Sequence, residues 1–401
     1  MKPGYKQTEV GVIPEEWEVR PLGEIGGVKM CKRVLKHQTR EHGEVPFYKI
    51  GTFGGSADAF ISQDLFDEFR RNYSYPRKGD ILISAAGTIG RTVTYNGEPA
   101  YFQDSNIAWI DNDESKATNA FLWNVYQVTK WAVSHGGTVA RLYNDNLKFK
   151  IHIPVPSLPE QRAIAEALSD VDGLLGGLDR LIAKKRDLKL AAMQQLLTGQ
   201  TRLPGFHGEW EAKRLGDIAE MGSGGTPSSA IADYYDGDIP WVSIADMTKC
   251  GKIIMATDRN LTRAGFSSCS AKMFSAGTVL YAMYASLGEC SIAGISVCSS
   301  QAILGIRTRS GLSNEFLYYY LTSLKSVVKS LGQQGTQANL NKGMVQDFCF
   351  SLPPLPEQTA IAQILSDMDA EITALEQRRE KTRALKQAMM QELLTGKTRL
   401  V

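Results

Sequence analysis

The sequence lacks the features of a membrane-spanning or secreted protein. No apolar run is long enough to cross a bilayer, and residues 1–17 contain no apolar segment of the kind that directs secretion. The six cysteines form no Cys-x-x-Cys pair and have no histidine cluster near them, which argues against a disulfide framework or a zinc site. We therefore expect a soluble cytoplasmic protein with buried thiols and no bound metal.

A strong net charge is also missing. The formal charge is +2, and Lys/Arg and Asp/Glu balance in both halves, at 19 to 18 over residues 1–150 and 12 to 12 over residues 206–350. Bulk charge therefore does not indicate a nucleic-acid-binding protein. If the chain binds nucleic acid, it must use local basic patches or a more basic partner.

Catalytic motifs are absent as well. The sequence contains no Asn/Asp-Pro-Pro-Tyr/Phe motif, no glycine-rich cofactor loop after a strand, no His-Glu-x-x-His and no nucleophile elbow. We expect neither catalytic residues nor a cofactor in this chain.

The strongest feature that is present is a long internal repeat. LPEQRAIAEALSD at residues 158–170 returns as LPEQTAIAQILSD at residues 355–367, and 26 of the 46 positions in 158–203 recur 197 residues later. The stretches upstream repeat much more weakly, so the chain is a tandem of two variable domains, each followed by a near-constant segment. The predicted boundaries are 1–150 for the first domain, 151–205 for a central spacer helix, 206–350 for the second domain and 351–401 for a C-terminal spacer helix.

The near-constant segments are predicted to be long helices. Ser157 and Pro159 suit the start of the first, and Gly199 and Gly396 are typical of helix ends. Apolar residues recur at alternating steps of four and three, which is the spacing of a coiled-coil seam. The predicted seam consists of Ile164, Leu168, Val171, Leu175 and Leu178 in the first helix, and of Ile361, Leu365, Met368, Ile372 and Leu375 in the second. We expect an intramolecular antiparallel coiled coil with pseudo-twofold symmetry; two independent dimerisation helices are the alternative.

Three glycines lie within the first predicted helix, at positions 173, 176 and 177, where the second has Ala370, Thr373 and Ala374. Each interior glycine costs about 1 kcal/mol relative to alanine. Close approach of the two helices, or of a partner chain, is compatible with this pattern, and so is a tolerated weak point or kink.

The variable domains are predicted to be α/β. In the first, strands are expected at 46–51, 80–87, 92–96 and 107–111, with an amphipathic helix at 119–135; in the second, strands are expected at 239–244, 278–285, 290–296 and 302–308, with a helix at 314–331. Their aromatic residues are interpreted as core rather than as base-stacking side chains.

A basic segment of the first domain is a candidate for binding phosphate. It has five cations and no acid within twelve residues, namely Lys29, Lys32, Arg33, Lys36 and Arg40. Gln38 and Thr39 in the same segment are candidates for contacts with base edges. A solvated surface is the alternative. The matching loop of the second domain, 221–230, has no cations, and there Ser223, Thr226 and the backbone N–H groups of the glycines are the phosphate candidates.

Two further regions have side chains suited to base edges. Arg91 follows the strand at 80–87, and Tyr284 and Ser286 lie near the corresponding place in the second domain. The polar segments 135–147 and 332–343 add Thr138, Arg141, Asn144, Gln333, Thr336, Gln337, Asn339 and Asn341. The same residue types also simply form turns.

These segments resemble the specificity subunits of type I restriction-modification systems. The resemblance rests on GYKQTEVGVIPEEWE at residues 4–18, on the doubled LPEQ and LLTG segments, and on the two dissimilar domains between them, and it covers essentially all of the chain. It implies two target recognition domains that each read one half of a bipartite double-stranded DNA sequence. It also implies that the paired helices act as a spacer and dock two modification (methyltransferase) subunits.

By the same resemblance, the chain is a non-catalytic subunit of a DNA methyltransferase and restriction endonuclease. S-adenosylmethionine and ATP are then expected on partner chains, which include restriction/translocase subunits. Two other functions remain open, namely a stand-alone DNA-binding regulator and a coiled-coil adaptor that binds no DNA. The absence of a neighbouring methyltransferase gene would favour the regulator, and a DNA-binding assay with the partner present would test the adaptor.

Overall fold

The computed structural model describes residues 3–131, 134–135, 140–333 and 339–400. Within these residues the chain forms two compact units. Unit 1 combines Met1–Leu178 with Arg378–Val401, and unit 2 is Asp179–Gln377. Each unit therefore contains one variable domain and one half of each long helix, whereas the predicted boundaries assign domains and helices to separate segments.

The elements that begin in unit 1 are β1 (Tyr5–Thr8), β2 (Gly11–Pro14), β3 (Glu18–Pro21), α1 (Leu22–Ile25), β4 (Gly26–Lys29), β5 (Val45–Tyr48), β6 (Phe60–Ile61), α2 (Gln63–Asn72), β7 (Ile81–Ser84), β8 (Thr92–Thr94), β9 (Tyr101–Phe102), β10 (Ile107–Asn112), α3 (Asn119–Val128), β11 (Ser134–His135), β12 (Ala140–Arg141), β13 (His152–Val155) and α4 (Leu158–Leu196).

The elements that begin in unit 2 are β14 (Glu211–Arg214), α5 (Leu215–Ile218), β15 (Ala219–Ser223), β16 (Tyr235–Val242), α6 (Ile244–Cys250), β17 (Ile253–Ile254), β18 (Arg259–Leu261), α7 (Arg263–Ser267), β19 (Val279–Ala282), β20 (Cys290–Ala293), β21 (Cys298–Ser299), β22 (Ile303–Thr308), α8 (Asn314–Ser323), α9 (Lys325–Gln333), α10 (Lys342–Gln346), β23 (Cys349–Leu352) and α11 (Leu355–Leu393).

The main sheet of unit 1 has the strand order β4-β10-β7-β8 and is covered on both faces. Because successive side chains of a strand point to opposite faces, Ile81 and Ile83 pack with Phe121 of α3, whereas Leu82 packs with the aromatic cluster of β5, β9 and α2. This explains why the predicted strand at 80–87 is apolar without alternation. The α/β prediction is confirmed for this domain.

Unit 2 repeats this topology. Its main sheet has the order β15-β22-β19-β20-β17, and β16 lies between β18 and β21 in a second sheet, as β5 lies between β6 and β9 in unit 1. The pairings β5–β9 and β16–β21 are both parallel. The edge strand β17 has no counterpart in the main sheet of unit 1 within the described residues. The weak upstream repeat is therefore a repeat of fold, on which different side chains are placed.

Within each unit the two long helices run antiparallel. In unit 1, Asp172 of α4 accepts a hydrogen bond from Lys386 of α11 at 2.6 Å. In unit 2, Lys185 pairs with Glu371 at 2.6 Å, and Lys189 pairs with Asp369. Later residues of α4 thus meet earlier residues of α11, which confirms the antiparallel prediction for each half of the pair.

All ten residues of the predicted seam are buried or half-buried. The N–H of Glu160 donates to the Ser157 hydroxyl at 3.5 Å, as a start signal requires. Gly199 and Gly396 have φ values of +71° and +68°, so both helices end in the left-handed conformation that glycine favours.

The helix predicted at 119–135 is too long. α3 ends at Val128, and Thr129 is extended. Beyond it the ring of Trp131 packs on Tyr126, with 5.5 Å between centroids, so the chain has turned back toward its own helix. The helix predicted at 314–331 is present but divided at Leu324 into α8 and α9.

Close approach of the other helix is the wrong explanation for Gly173 and Gly177. A Cβ built on either glycine would meet no atom within 4 Å, and α4 continues through both. Their weak helix propensity is thus not offset by a tighter contact with the described residues of this chain.

The expectation of buried thiols is only half correct. All six cysteines are free; Cys31, Cys290 and Cys298 are buried, but Cys250 and Cys349 are exposed. Burial raises the pKa of the Cys31 thiol to about 12. Among the helices of the described residues, none is long and apolar enough to cross a membrane.

Candidate nucleic-acid interface

Three loops of the first domain meet at a cleft of about 480 Å³. One follows β4, the second joins β9 to β10, and the third contains β12. The lining residues are Arg33, Val34, Lys36, Thr39, Phe47, Lys49, Gln103, Asp104, Ser105, Asn106 and Arg141. The structure therefore brings together Arg33, Lys36 and Thr39 of the basic segment with Arg141 of the polar segment, which the sequence could nominate only separately.

The cleft contains four cations and one acid. Arg33 donates to Asp104 at 2.8 Å, and Lys49 pairs with Asp58 at 2.8 Å. Lys36 and Arg141 are exposed, and neither forms an ion pair within the described part of the chain. Two cations thus remain available to an anionic ligand, and a DNA phosphate is such a ligand.

The remaining cations of the basic segment do not line the cleft. Lys29 is half-buried at the end of β4, and the Lys32 Nζ lies 4.8 Å from the ring centroid of Tyr73. Arg40 is exposed and forms a backbone bridge with Phe60.

Gln38 and Thr39 have local partners in a short 3₁₀ turn. The Leu35 N–H donates to the Gln38 Oε1 at 2.8 Å, and the Thr39 hydroxyl donates to the Lys36 carbonyl at 2.9 Å. Only Thr39 lines the cleft. The turn occupies one of the two lone pairs of the Gln38 Oε1.

Arg91 is exposed, but its guanidinium is bound to its own domain. Its Nη1 donates to the Phe53 carbonyl at 2.9 Å. Backbone pairing also identifies the residue of the second domain that corresponds to Arg91. The Ser84 N–H donates to the Arg91 carbonyl at 2.8 Å, and the Ala282 N–H donates to the Glu289 carbonyl at 2.8 Å. The counterpart is thus Glu289, and the predicted Tyr284 and Ser286 lie earlier in the same loop.

One backbone arrangement at the end of the central strand occurs in both domains. In unit 1, the Leu142 N–H donates to the Ala85 carbonyl at 2.9 Å; in unit 2, the Leu340 N–H donates to the Met283 carbonyl at 3.0 Å. Both leucines are buried. The residue before each leucine is therefore held at the same place in each domain, and that residue is Arg141 in the first and Asn339 in the second.

We call this main-chain hydrogen bond the strand-end bond. It joins Leu142 to Ala85 in unit 1 and Leu340 to Met283 in unit 2. Arg141 and Asn339 are both exposed and both belong to the predicted base-reading set. The sequence already carried a signal for their equivalence, because GTVARL at residues 137–142 and GTQANL at residues 335–340 share Gly, Thr, Ala and Leu at the same places.

The glycine-rich loop of the second domain does not present its backbone to a ligand. The N–H groups of Gly224 and Gly225 donate to the carbonyls of Ile303 and Ser299, at 3.2 and 2.9 Å. Both glycines are buried, and a Cβ on either would lie within 2.5 Å of main-chain atoms. The prediction of phosphate contacts by these two N–H groups is wrong, because the glycines instead let two chain segments pack closely.

The side chains predicted in that loop differ in exposure. Thr226 is exposed, and its hydroxyl oxygen accepts from the Gln301 N–H at 3.3 Å, whereas Ser223 is half-buried at the end of β15. Gln301 is an exposed residue that the sequence analysis did not nominate.

The remaining candidates fall into three groups. Tyr284 and Asn144 are exposed, and Ser286 is half-buried. Asn341 is exposed, but its Oδ1 accepts from the Met344 N–H at 3.0 Å and so caps α10. Thr138, Thr336 and Gln337 lie outside the described residues, as does the side chain of Gln333.

A buried joint attaches each domain to the helices, and sequence analysis missed it. In unit 1, the Trp17 indole donates to Glu160 at 3.0 Å, and Arg399 donates to the same carboxylate at 2.9 Å. In unit 2, Trp210 donates to Glu357 at 3.1 Å, and Arg202 donates at 2.6 and 2.7 Å.

The glutamine of each LPEQ completes the joint. Gln161 accepts from the Thr118 N–H at 2.8 Å, as Gln358 accepts from the Ser313 N–H at 2.8 Å. Both glutamines are fully buried. The signal for the joint was present, since the tryptophan, the LPEQ motif and the Thr-Arg-Leu motif all recur in the repeat.

Comparison with known proteins decides the family. The sequence model of the type I restriction modification DNA specificity domain matches residues 14–182 and again residues 207–384. The chain belongs to this family. Each matched range contains one strand-end bond and the tryptophan of one joint, whereas Arg202 and Arg399 lie outside both ranges.

Named relatives agree with this family. A Haemophilus influenzae protein, provisionally named a type I restriction enzyme specificity subunit, is 55% identical over 174 residues, which is 43% of this chain and 45% of that protein. The chain thus spans less than half of that relative. The MjaVIII specificity subunit of Methanocaldococcus jannaschii is 25% identical over 99% of this chain and 96% of its own length.

Solved structures agree in fold. A chain from a structure titled for complex assembly and conformational transition of the type I R-M system matches with a TM-score of 0.62 at 19% identity, over 96% of this chain and 99% of the other. The S subunit of a type I restriction-modification system from M. genitalium matches with a TM-score of 0.57 at 14% identity, over 98% and 99%. The specificity-subunit fold therefore extends over nearly the whole chain.

Proposed function

We propose that this chain is the non-catalytic DNA-recognition subunit of a type I restriction-modification complex, and that each domain reads one half of a bipartite duplex target. The observation that supports this most directly is the strand-end bond. The same backbone hydrogen bonds hold Arg141 in one domain and Asn339 in the other. One scaffold with different side chains at the same place is what two different half-sites require.

The proposal extends to partners. Two methyltransferase subunits dock on the paired helices, restriction/translocase subunits join the same cytoplasmic complex, and S-adenosylmethionine and ATP bind to those partner chains. The names of the relatives support a role within a multi-subunit enzyme, and the missing catalytic motifs are consistent with chemistry on other chains.

The test compares the chain alone with the chain co-purified with its methyltransferase. We expect the complex to methylate duplex DNA and to enrich two short fixed segments from a randomised duplex library, whereas the chain alone should transfer no methyl group from S-adenosylmethionine. Methylation by the chain alone would refute the non-catalytic role. A complex that enriches no sequence would refute DNA recognition.

Arg141 and Lys36 should differ in the kind of contact they make. Arg141→Ala should relax one position of one half-site at a cost of about 1–3 kcal/mol, because a lost base contact affects only the sequence that it reads. Lys36→Ala should weaken binding to all sequences alike and lower the slope of log affinity against log salt by roughly one, because a lost phosphate contact releases one fewer counterion.

The measurement is the affinity of the complex for matched and mismatched duplexes at several salt concentrations. Lys78→Ala is the control, since Lys78 is exposed in the same domain but does not line the cleft. Equal losses on every sequence for Arg141→Ala would remove Arg141 from the base-reading set.

A further inference from the structure

Asn106 lies beside Arg141 in the cleft, although the sequence analysis did not nominate it. The Ala85 N–H donates to the Asn106 carbonyl at 2.7 Å, and the Ala85 carbonyl accepts from Leu142 at 2.9 Å. One residue at the end of β7 therefore fixes the backbones of both Asn106 and the segment that contains Arg141. Both residues line the same cleft.

The loop before Asn106 is held rigidly by its other polar side chains. Gln103 accepts from the Ile50 N–H at 2.9 Å, and Asp104 accepts from Arg33 at 2.8 Å and from the Ser105 hydroxyl at 3.1 Å. Ser105 has a φ of +61°, a conformation that a non-glycine residue adopts at some cost. A fixed loop loses little conformational entropy when a ligand binds.

The Asn106 carboxamide is the exception in this loop. Asn106 is half-buried and lines the cleft, and its side chain has no hydrogen bond to any described residue. It therefore offers both a donor and an acceptor. That pair matches the N7 acceptor and N6 donor of adenine in the major groove, as the Arg141 guanidinium matches the N7 and O6 of guanine.

The second domain has the same strand-end bond but lacks the counterpart of the Asn106 side chain. The Met283 N–H donates to the Ala302 carbonyl at 2.8 Å, so Ala302 occupies the place of Asn106. The pair Asn106 and Arg141 in one domain thus corresponds to Ala302 and Asn339 in the other. The polar amide of Asn106 is therefore not needed to form the strand-end bond.

We propose that Asn106 is a specificity-determining residue of the first domain, which reads an adenine next to the base read by Arg141. This inference rests on the proposed function. It adds a residue and a base to that function, and its failure leaves DNA recognition itself intact.

The experiment selects duplexes from a randomised library with the complex of this chain and its methyltransferase. Asn106→Ala should lose the preference for adenine at one position, with a drop in discrimination of about 5- to 150-fold, and should leave the other half-site unchanged. Asn106→Asp is nearly isosteric but has only acceptors, so it should shift that position from adenine toward cytosine, whose N4 is a donor. Asn72→Ala, at the end of α2 and away from the cleft, is the control.

Each outcome decides a different point. An unchanged motif for both Asn106 variants would overturn the proposal, and so would equal weakening on every sequence. The unchanged second half-site in the same selection shows that a variant remains folded. A wild-type complex that enriches nothing would instead refute the proposed function.

Discussion

Glu160→Ala is expected to lower the free energy of unfolding of unit 1 by about 3 kcal/mol. The Glu160 side chain is 1% exposed, and it accepts hydrogen bonds from both Trp17 and Arg399. Removing the carboxylate leaves a buried indole N–H and a guanidinium without their shared acceptor, and desolvated donors without partners are costly. The lower end of the usual range for buried pairs is appropriate because the Arg399 side chain is 27% exposed.

The matched control is Glu16→Ala. Glu16 pairs with the same Arg399 at 3.1 Å, but its side chain is 78% exposed, so its loss should cost well under about 1 kcal/mol. Calorimetry of the full chain should therefore show a lower unfolding temperature for Glu160→Ala and almost no change for Glu16→Ala. Equal effects of the two variants would show that the joint does not hold the domain to the helices.

The helices and their pairing could be predicted because their signals are local. The four-three spacing of Ile164, Leu168 and Val171 follows from helix geometry, and Gly199 ends its helix through its own φ angle. The tandem organisation followed from the repeat. Even the joint had a signal, since Trp17 and Trp210 recur at equivalent places and Glu160 and Glu357 belong to the repeated LPEQ.

The strand-end bond could not be predicted, because it joins residues that are far apart in sequence. Ala85, Asn106 and Leu142 are joined by main-chain hydrogen bonds, which any residue forms and which leave no pattern of residue types. The same limit explains the error at Gly224, whose role is set by a neighbouring strand. A glycine that allows close packing and one that binds phosphate look alike in a sequence.

Replacing the second domain with that of another family member is expected to change one half of the target completely and leave the other unchanged. The predicted boundary at residue 350 falls inside β23 (Cys349–Leu352), so the exchange should cover residues 206–352 and keep the pairing of β14 with β23 intact. The incoming domain needs a tryptophan at the place of Trp210, because Arg202 and Glu357 remain on the scaffold to complete the joint.

The most direct test of separate reading by two domains is the target of this exchanged chain. Each complex with methyltransferase is used to select from the same randomised duplex library, and the enriched sequences are compared with those of the parent chain. We expect two fixed segments in both cases, with the segment read through Arg141 unchanged and the other replaced by the half-site of the donor domain. A change in both segments, or the loss of both, would contradict this expectation.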